Sequence, residues 1–498
     1  MSVSTSNILP SDEYIKPTMV EKSDASPSSS LEGAILDPVI SARITRKFDK
    51  HIIPWLFGLW LLAFIDRSNI GNAKIDGLAE DLNILKGNKF NVALAIFYVP
   101  YIIVEVPSNW LVKRVGAGYY LPGLVFGFGI VSMCLGFVKT YEGLLVGRFF
   151  LGLMEGGLLG GVIIYLAMFY QREQIMIRIG LFYCAAPLSG AFGGLLATGL
   201  SQISSGSYDG WPFIFFIEGV ITILFGLLAG FFLPHTPSHS KFLTAEEKEV
   251  AVYRMNIDSQ GAVSSSSVDT EKFSWHWVKI AILNWNTALL SLNFFAIITP
   301  IYSYSLFLPT IIRALGYKSV KANLLTVPPN MAAFFAVLLV TYLSARFKQR
   351  GIFMLSGATI GIIGYIMLIA SSKPLVQYGG TFFVAVGIFP CSPMAMGWMA
   401  NNVSPHYVRA TATGFQICIA NCAAFIATFT YVTSDAPRYK TGHAINLGML
   451  SLCIVVTAVT ISYCKWENAK RGRGERDDRL REDQTLLGYR HPRFRYAI

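Results

Sequence analysis

The stretch IIPWLFGLWLLAFIDRSNIGNAKI, residues 52–75, decides the fold. Its first fourteen residues, 52–65, are almost wholly apolar, and a helix over 52–72 would be about 30 Å long, the thickness of a bilayer's hydrocarbon core. Asp66, Arg67 and Asn69 then continue into the same helix. Charge at membrane depth costs at least ~2.5 kcal/mol, and such residues mark ion or substrate pathways.

The whole chain repeats the pattern. It has 498 residues, 53% hydrophobic and 14% charged, with a mean hydropathy of +0.48. That balance excludes an ordinary soluble domain. Twelve apolar stretches of membrane-spanning length occur near 52–72, 91–112, 119–138, 143–169, 178–203, 212–233, 285–312, 321–345, 351–371, 377–400, 407–434 and 443–464. Unpaired backbone cannot face lipid, so each must be a helix. The expected fold class is an all-α membrane protein, twelve transmembrane helices in two six-helix halves.

The division into halves comes from residues 234–283, the one long polar interruption, which opens PHTPSHSKFLTAEEKE and runs through GAVSSSSVD. Thr244 followed by Glu246 and Glu247 predicts the start of a short amphipathic helix there. The expected organisation is a Ser-rich disordered tail (1–47), a first half (48–233), the linker loop (234–283), a second half (284–464) and a polar tail (465–498). Two such halves with a site between them near the midplane describe a secondary transporter. A channel or receptor with twelve spans is the less common alternative.

The net charge of +11 is a topology signal and not a nucleic-acid surface. Arg43, Arg46, Lys47 and Lys50 precede the first span, five Lys/Arg lie in 234–283 and ten in 465–498. The positive-inside rule therefore puts both termini in the cytoplasm. The sequon Asn402-Val-Ser404 then faces the cytoplasm and is expected to stay unmodified. An importer suits the plasma membrane, with the endoplasmic reticulum or vacuole as alternatives. All seven cysteines fall in spans, so no disulfide framework is expected. Neither a metal-ligand cluster, a nucleophile with its base nor a phosphate-binding loop is evident, so the expectation is a non-enzyme without cofactor or metal, acting as a monomer.

Ionisable residues inside the spans are concentrated in the first half. Asp66 lies about 21 Å along its helix from Ile52, and Arg148, seven residues past Tyr141, lies about 10 Å from the opposite face, which brings Asp66, Arg67 and Arg148 to one level. Glu155 follows two turns deeper on nearly the same face as Arg148. Around it, Gly152, Gly156 and Gly160 offer a surface for close helix approach. An arginine presents a permanent planar fork for a carboxylate, whereas a desolvated acid can take up and release a proton. Arg67 and Arg148, with Asn69, are the expected anion site. With no histidine in the middle of a span, Asp66 and Glu155 are the expected proton-coupling sites. The competing reading makes Asp66–Arg67 a self-neutralising pair and Arg148–Glu155 structural. Glu105, near Lys113 and Arg114, is expected at an inner gate or in packing, and Glu218 is expected to be structural.

These residues resemble the major facilitator superfamily, and within it the anion:cation symporter family, fungal allantoate permease group. PSNWLVKRVGAGYY (107–120) is similar to the superfamily's loop between helices 2 and 3: Leu111, Arg114 and Gly116 fit, while Asn109 and Lys113 replace the usual Gly and Asp. DRSNIGNA (66–73), EVPSNWL (105–111), GRFFLGLMEGG (147–157), WPFIFFIEG (211–219) and YSLFLPTIIRALGY (304–317) match the fungal group. The resemblance implies proton-coupled uptake of a small organic anion by rocking of the halves. The group spans nicotinate, pantothenate, biotin, allantoate, dipeptides and other carboxylates. It carries proton roles onto Asp66 and Glu155, and anion roles onto Arg67 and Arg148. Arg313 lies too near a helix end to match the further arginine of some animal relatives. The second half would then supply uncharged contacts: Tyr302, Tyr304, Asn330, Trp398, Asn401, Gln416 and Asn421. A non-transporting nutrient receptor and a facilitator of a neutral substrate such as a sugar are the rival functions.

Overall fold

A computed structural model of the chain describes residues 38–84, 87–200, 202–205, 208–260, 275–404, 406–481 and 488–498. It is built almost wholly of helices. The spans are α1 (Ile53–Ala73), α2 (Lys89–Val115), α3 (Ala117–Leu135), α4 (Tyr141–Glu155 and Leu158–Phe169), α5 (Arg172–Tyr183 and Ala185–Leu200) and α6 (Trp211–Phe232). The second half comprises α7 (Trp285–Ala314), α8 (Val327–Phe347), α9 (Gly351–Ala370), α10 (Pro374–Ile388 and Cys391–Asn402), α11 (His406–Phe429) and α12 (Lys440–Gly472). Eleven of the twelve positions are long and apolar enough to cross a membrane. α2, at 27 residues, is long enough but carries polar and charged positions, Asn91, Glu105 and Arg114 among them.

Three helices are broken where the sequence shows only a continuous apolar run. α4 interrupts directly after Glu155, α5 at Cys184 and α10 at Phe389–Pro390. Tyr183 and Phe389, beside the breaks in α5 and α10, line the space between the halves.

The face on which the chain enters α1 also carries the linker and the C-terminal segment. Where a tail is expected over 1–47, residues 38–51 form a helix; the rest of that expectation, 1–37, lies outside the described residues. The reason is a four-residue spacing, Ile40, Ile44, Phe48 and Ile52, that presents one apolar stripe; Ile44 and Phe48 are fully buried. Asp49 of this helix takes two bonds from Arg178 of α5, at 2.6 and 2.7 Å.

The amphipathic helix expected after Thr244 is present as Ala245–Gln260. Its start is a capping box: the Glu247 backbone N–H donates to Thr244 Oγ1 (3.3 Å) and the Thr244 N–H donates to Glu247 Oε2 (3.0 Å). Lys47 donates to both Glu247 oxygens. Partial burial would raise the Glu247 pKa, but the bonds from Lys47 and Thr244 outweigh it and hold the carboxyl below its ordinary range. The Ser run 264–267 lies outside the described residues.

The C-terminal segment is packed and not a free tail. Tyr489 and Tyr496 are buried. The Trp398 indole donates to Ala497 O (2.9 Å), Asn402 and Ala497 bond reciprocally (3.1 and 2.7 Å), and Arg350 N donates to Ile498 O (2.8 Å). Arg471 of α12 donates to Tyr489 O and Phe494 O. This segment caps the ends of α10 and α12, and Asn402 of the sequon is fully buried beneath it.

At the opposite face the halves are pinned together. Asn91 of α2 donates to Thr428 O at the end of α11 (2.6 Å) and to Tyr431 O just beyond it (3.2 Å). Arg313 of α7 donates to Ile75 O (2.9 Å), and Asn323 donates to Asp76 Oδ2 (2.8 Å).

Candidate functional site

Successive helical residues point about 100° apart, so Asp66 and Arg67 cannot share a direction, and they do not. Arg67 turns toward the middle of the molecule. Its Nη2 and Nε donate to Glu155 Oε2 at 2.8 and 3.2 Å, a buried pair between α1 and α4. Depth counting put Glu155 two turns below Arg67. The long arginine side chain spans that gap.

The Arg67 guanidinium sits in an aromatic cage. Its Cζ lies 4.9 Å from the Tyr101 ring centre, 5.2 Å from those of Phe64 and Phe97 and 5.9 Å from that of Tyr302. Such cation–π contacts strengthen when desolvated. Arg148 shares the same wall, with its Cζ 5.2 Å from the Phe97 ring centre. It is 1% exposed, and its Nε and Nη1 have no hydrogen-bond acceptor among the described residues.

Glycine permits this crowding. A Cβ at Gly156 would lie 2.5 Å from Tyr101 O and 3.0 Å from Tyr101 Cα, and one at Gly152 would collide with Phe97 O. α4 therefore lies directly against the backbone of α2, with Phe97 beside both arginines and Tyr101 beside Arg67.

Next to the cage is a cavity between the halves. The first half contributes Trp60, Phe64, Tyr101 and Tyr183, and the second half Tyr302, Phe389, Ser392 and Asn421. Its free space is about 30 Å³, room for one or two waters. The rings of Phe64, Tyr101 and Tyr302 line this space and also contact Arg67.

A hydrogen-bonded chain crosses the cavity floor. Tyr302 OH donates to Asn421 Oδ1 (2.9 Å), and Asn421 Nδ2 donates to Glu105 Oε2 (2.9 Å). Glu105 is thus joined to the second half at the cavity, away from Arg114, which lies against Trp110 at the exposed end of α2. Gly116 ends α2 with φ +91°.

The remaining expected site residues are not brought to the cavity. Asp66 faces a seam between α1, α3 and α6, where Ser132 Oγ donates to its Oδ1 (2.8 Å) and Thr222 Oγ1 to its Oδ2 (3.3 Å). Glu218 belongs to the same seam. Tyr304 OH donates to Thr381 O inside the second half. Trp398 lies under the C-terminal segment, and Gln416 bridges Leu290 O and Ala395 O. Asn401 is exposed. Asn330 lines a second small cavity with Ser68, Asn72 and Ser189. Asn69 is fully buried with both amide atoms unpartnered among the described residues.

Phe64, Phe97, Tyr101, Tyr183 and Phe389 are site residues that the sequence does not single out. One signal was available: Phe97 and Tyr101 stand four apart in a helix that also carries Glu105, so all three share a face.

Comparisons with known proteins agree with this architecture. The pattern of the Major Facilitator Superfamily matches residues 56–428. An uncharacterized transporter of Schizosaccharomyces pombe is 35% identical over 465 residues, covering 93% of this chain and 91% of that one. The MFS-type transporter efuF of Hormonema carpetanum is 34% identical over 440 residues, 88% of each chain. Among solved structures, the proton:xylose symporter XylE bound to 6-bromo-6-deoxy-D-glucose aligns with a TM-score of 0.63 at 15% identity, over 82% of this chain and 96% of that one. An inward-facing bacterial homologue of the lysosomal transporter Spinster gives 0.61 at 15% identity, over 83% and 96%. At such identities these two speak for the fold alone.

Proposed function

Because the chain belongs to the Major Facilitator Superfamily and is a secondary transporter working by alternating access, we propose that it carries a small organic anion, a carboxylate-bearing nutrient or vitamin, together with protons. The observation that carries this reading is Arg148. A buried guanidinium with two nitrogens unpartnered among the described residues, beside a second arginine whose charge Glu155 balances, calls for an anion at membrane depth.

The arrangement divides the work. Arg148 receives the carboxylate on its unspent N–H groups. Arg67 exchanges its bond to Glu155 for one to the cargo, which releases Glu155 to take a proton. Entry requires the Tyr101 and Tyr302 rings, which line the cavity and contact Arg67, to swing aside. Tyr302, Asn421 and Ser392 then supply uncharged contacts from the second half. In this reading both termini are cytoplasmic, the protein imports across the plasma membrane, and the monomer suffices.

The test is a panel of small carboxylates and neutral analogues offered to reconstituted vesicles under an imposed pH gradient. Wild-type protein is expected to accumulate one or more carboxylates, and Arg148→Ala to lose that uptake. Uptake of a neutral sugar that Arg148→Ala spares would overturn the anion reading, and binding without accumulation would favour a receptor.

A further inference from the structure

We propose that Glu218 and Asp66 form a two-carboxylate proton site in the seam between α1, α3 and α6, apart from the cargo cavity, holding one proton between them. The proposal rests on the proton coupling proposed above and adds a carrier to it.

Glu218 is 1% exposed, and both its oxygens lack a hydrogen-bond partner among the described residues. One turn further along α6, Thr222 donates to Asp66. Residues four apart share a helix face about 6 Å from one another, so Glu218 stands beside the group that holds Asp66. Asp66 is the charge that acts on it. From α3 the seam receives Ser132, an uncharged hydroxyl. On the cavity side, Asp66 also feels Glu155 and Arg148 of α4.

The seam is closed to lipid and water. A Cβ at Gly219 would lie 2.5 Å from Met133 N and 2.7 Å from Met133 Cα, so α6 and α3 meet backbone to backbone beside Glu218. Two carboxylates in such a place cannot both be ionised. The hydroxyls decide which one keeps the proton. Ser132 and Thr222 both donate to Asp66, the pattern that an ionised carboxylate takes, whereas Glu218 receives no donor and is the protonated member. Transfer breaks the O–H bond at Glu218 and makes one at Asp66, leaving Glu218 ionised and the pair's total charge unchanged. Asp66 is adjacent in sequence to Arg67, so the proton's position in the seam changes the field at the Arg67–Glu155 pair.

The test uses full-length protein in lipid vesicles and infrared difference spectra across pH, read at the carbonyl stretch of protonated carboxyl groups. No cargo is added. Wild type is expected to show a band that Glu218→Gln removes. Asp66→Asn is expected to move its titration by about one pH unit or more. In a second measurement, the pH profile of gradient-driven uptake is expected to shift in Glu218→Gln and to return toward wild type in Glu218→Asp. A band of equal size in Glu218→Gln, or a band that Asp66→Asn leaves in place on the pH scale, would overturn the shared site. Wild-type uptake indifferent to the gradient would instead defeat the coupling reading, with the cargo-free spectra still deciding the carboxylate pair.

Discussion

The two halves of the molecule handle polarity differently. The first half buries Asp66, Arg67, Glu105, Arg148, Glu155 and Glu218 at membrane depth. At the corresponding depth the second half relies on uncharged groups: Asn293 to Thr457 at 2.6 Å, Tyr302 to Asn421 at 2.9 Å, and Gln416 to two carbonyls. The buried Arg67–Glu155 pair lies wholly within the first half. The bonds named here that cross between halves carry at most one formal charge each: Asn91 to Thr428 O, Arg313 to Ile75 O, Asn421 to Glu105 and Tyr183 to Met396 Sδ. Rocking the halves therefore breaks single hydrogen bonds of about 1 kcal/mol net where both groups are neutral and roughly 1.5–3 kcal/mol where one is charged, and leaves intact an ion pair whose disruption would cost about 3–5 kcal/mol.

The contrast can be broken most severely on the charged side. Arg67→Ala strands Glu155 in the cage and is expected to cost roughly 3–5 kcal/mol. It should appear as a large fall in thermal stability in detergent, part of which Glu155→Gln restores in the double variant. Next comes the packing that brings Tyr101 to Arg67. Gly156→Ala sets a methyl group against the α2 backbone, and overpacking of this kind costs about 1–3 kcal/mol; the same melts measure it, with Ala at the exposed Gly123 as the neutral control. On the uncharged side the effect is smaller. Tyr302→Phe removes one bond to Asn421 and is expected to cost roughly 0.5–1.5 kcal/mol, with gradient-driven uptake reduced and not abolished.

The smallest effect lies outside the membrane. Since Glu247 is held below its ordinary range, the attachment of its helix to Lys47 contributes stability above the unfolded carboxylate pKa. That contribution is lost as pH falls through the lowered folded value. Proteolysis of the linker should therefore quicken only in acid, and Glu247→Gln should make it pH-independent at a cost of about 0.5–1 kcal/mol.

How much of this was legible in the sequence follows from what one dimension records. Span length and apolar runs set twelve helices and two halves, and the Thr244–Glu247 spacing located the linker helix. Rise per residue brought helices 1 and 4 together at one level. It says nothing about rotation around each axis, so it groups Asp66, one residue from Arg67, with the cavity, whereas Asp66 faces the seam. The breaks after Glu155 and at Phe389–Pro390 lie in runs whose hydropathy is unbroken. Trp398 is expected at the site because it faces lipid poorly and its indole can stack and hydrogen-bond, but its partner Ala497 is 99 residues away, a pairing that local pattern does not contain.

The central claim is that the first half's buried cluster holds the cargo with arginine and moves the proton with Glu155. Glu155→Gln in reconstituted vesicles tests it most directly, since Gln still accepts a bond from Arg67 but cannot exchange a proton. The account predicts that exchange of cargo across the membrane persists while accumulation under a pH gradient is lost. Accumulation by Glu155→Gln at the wild-type level would contradict it.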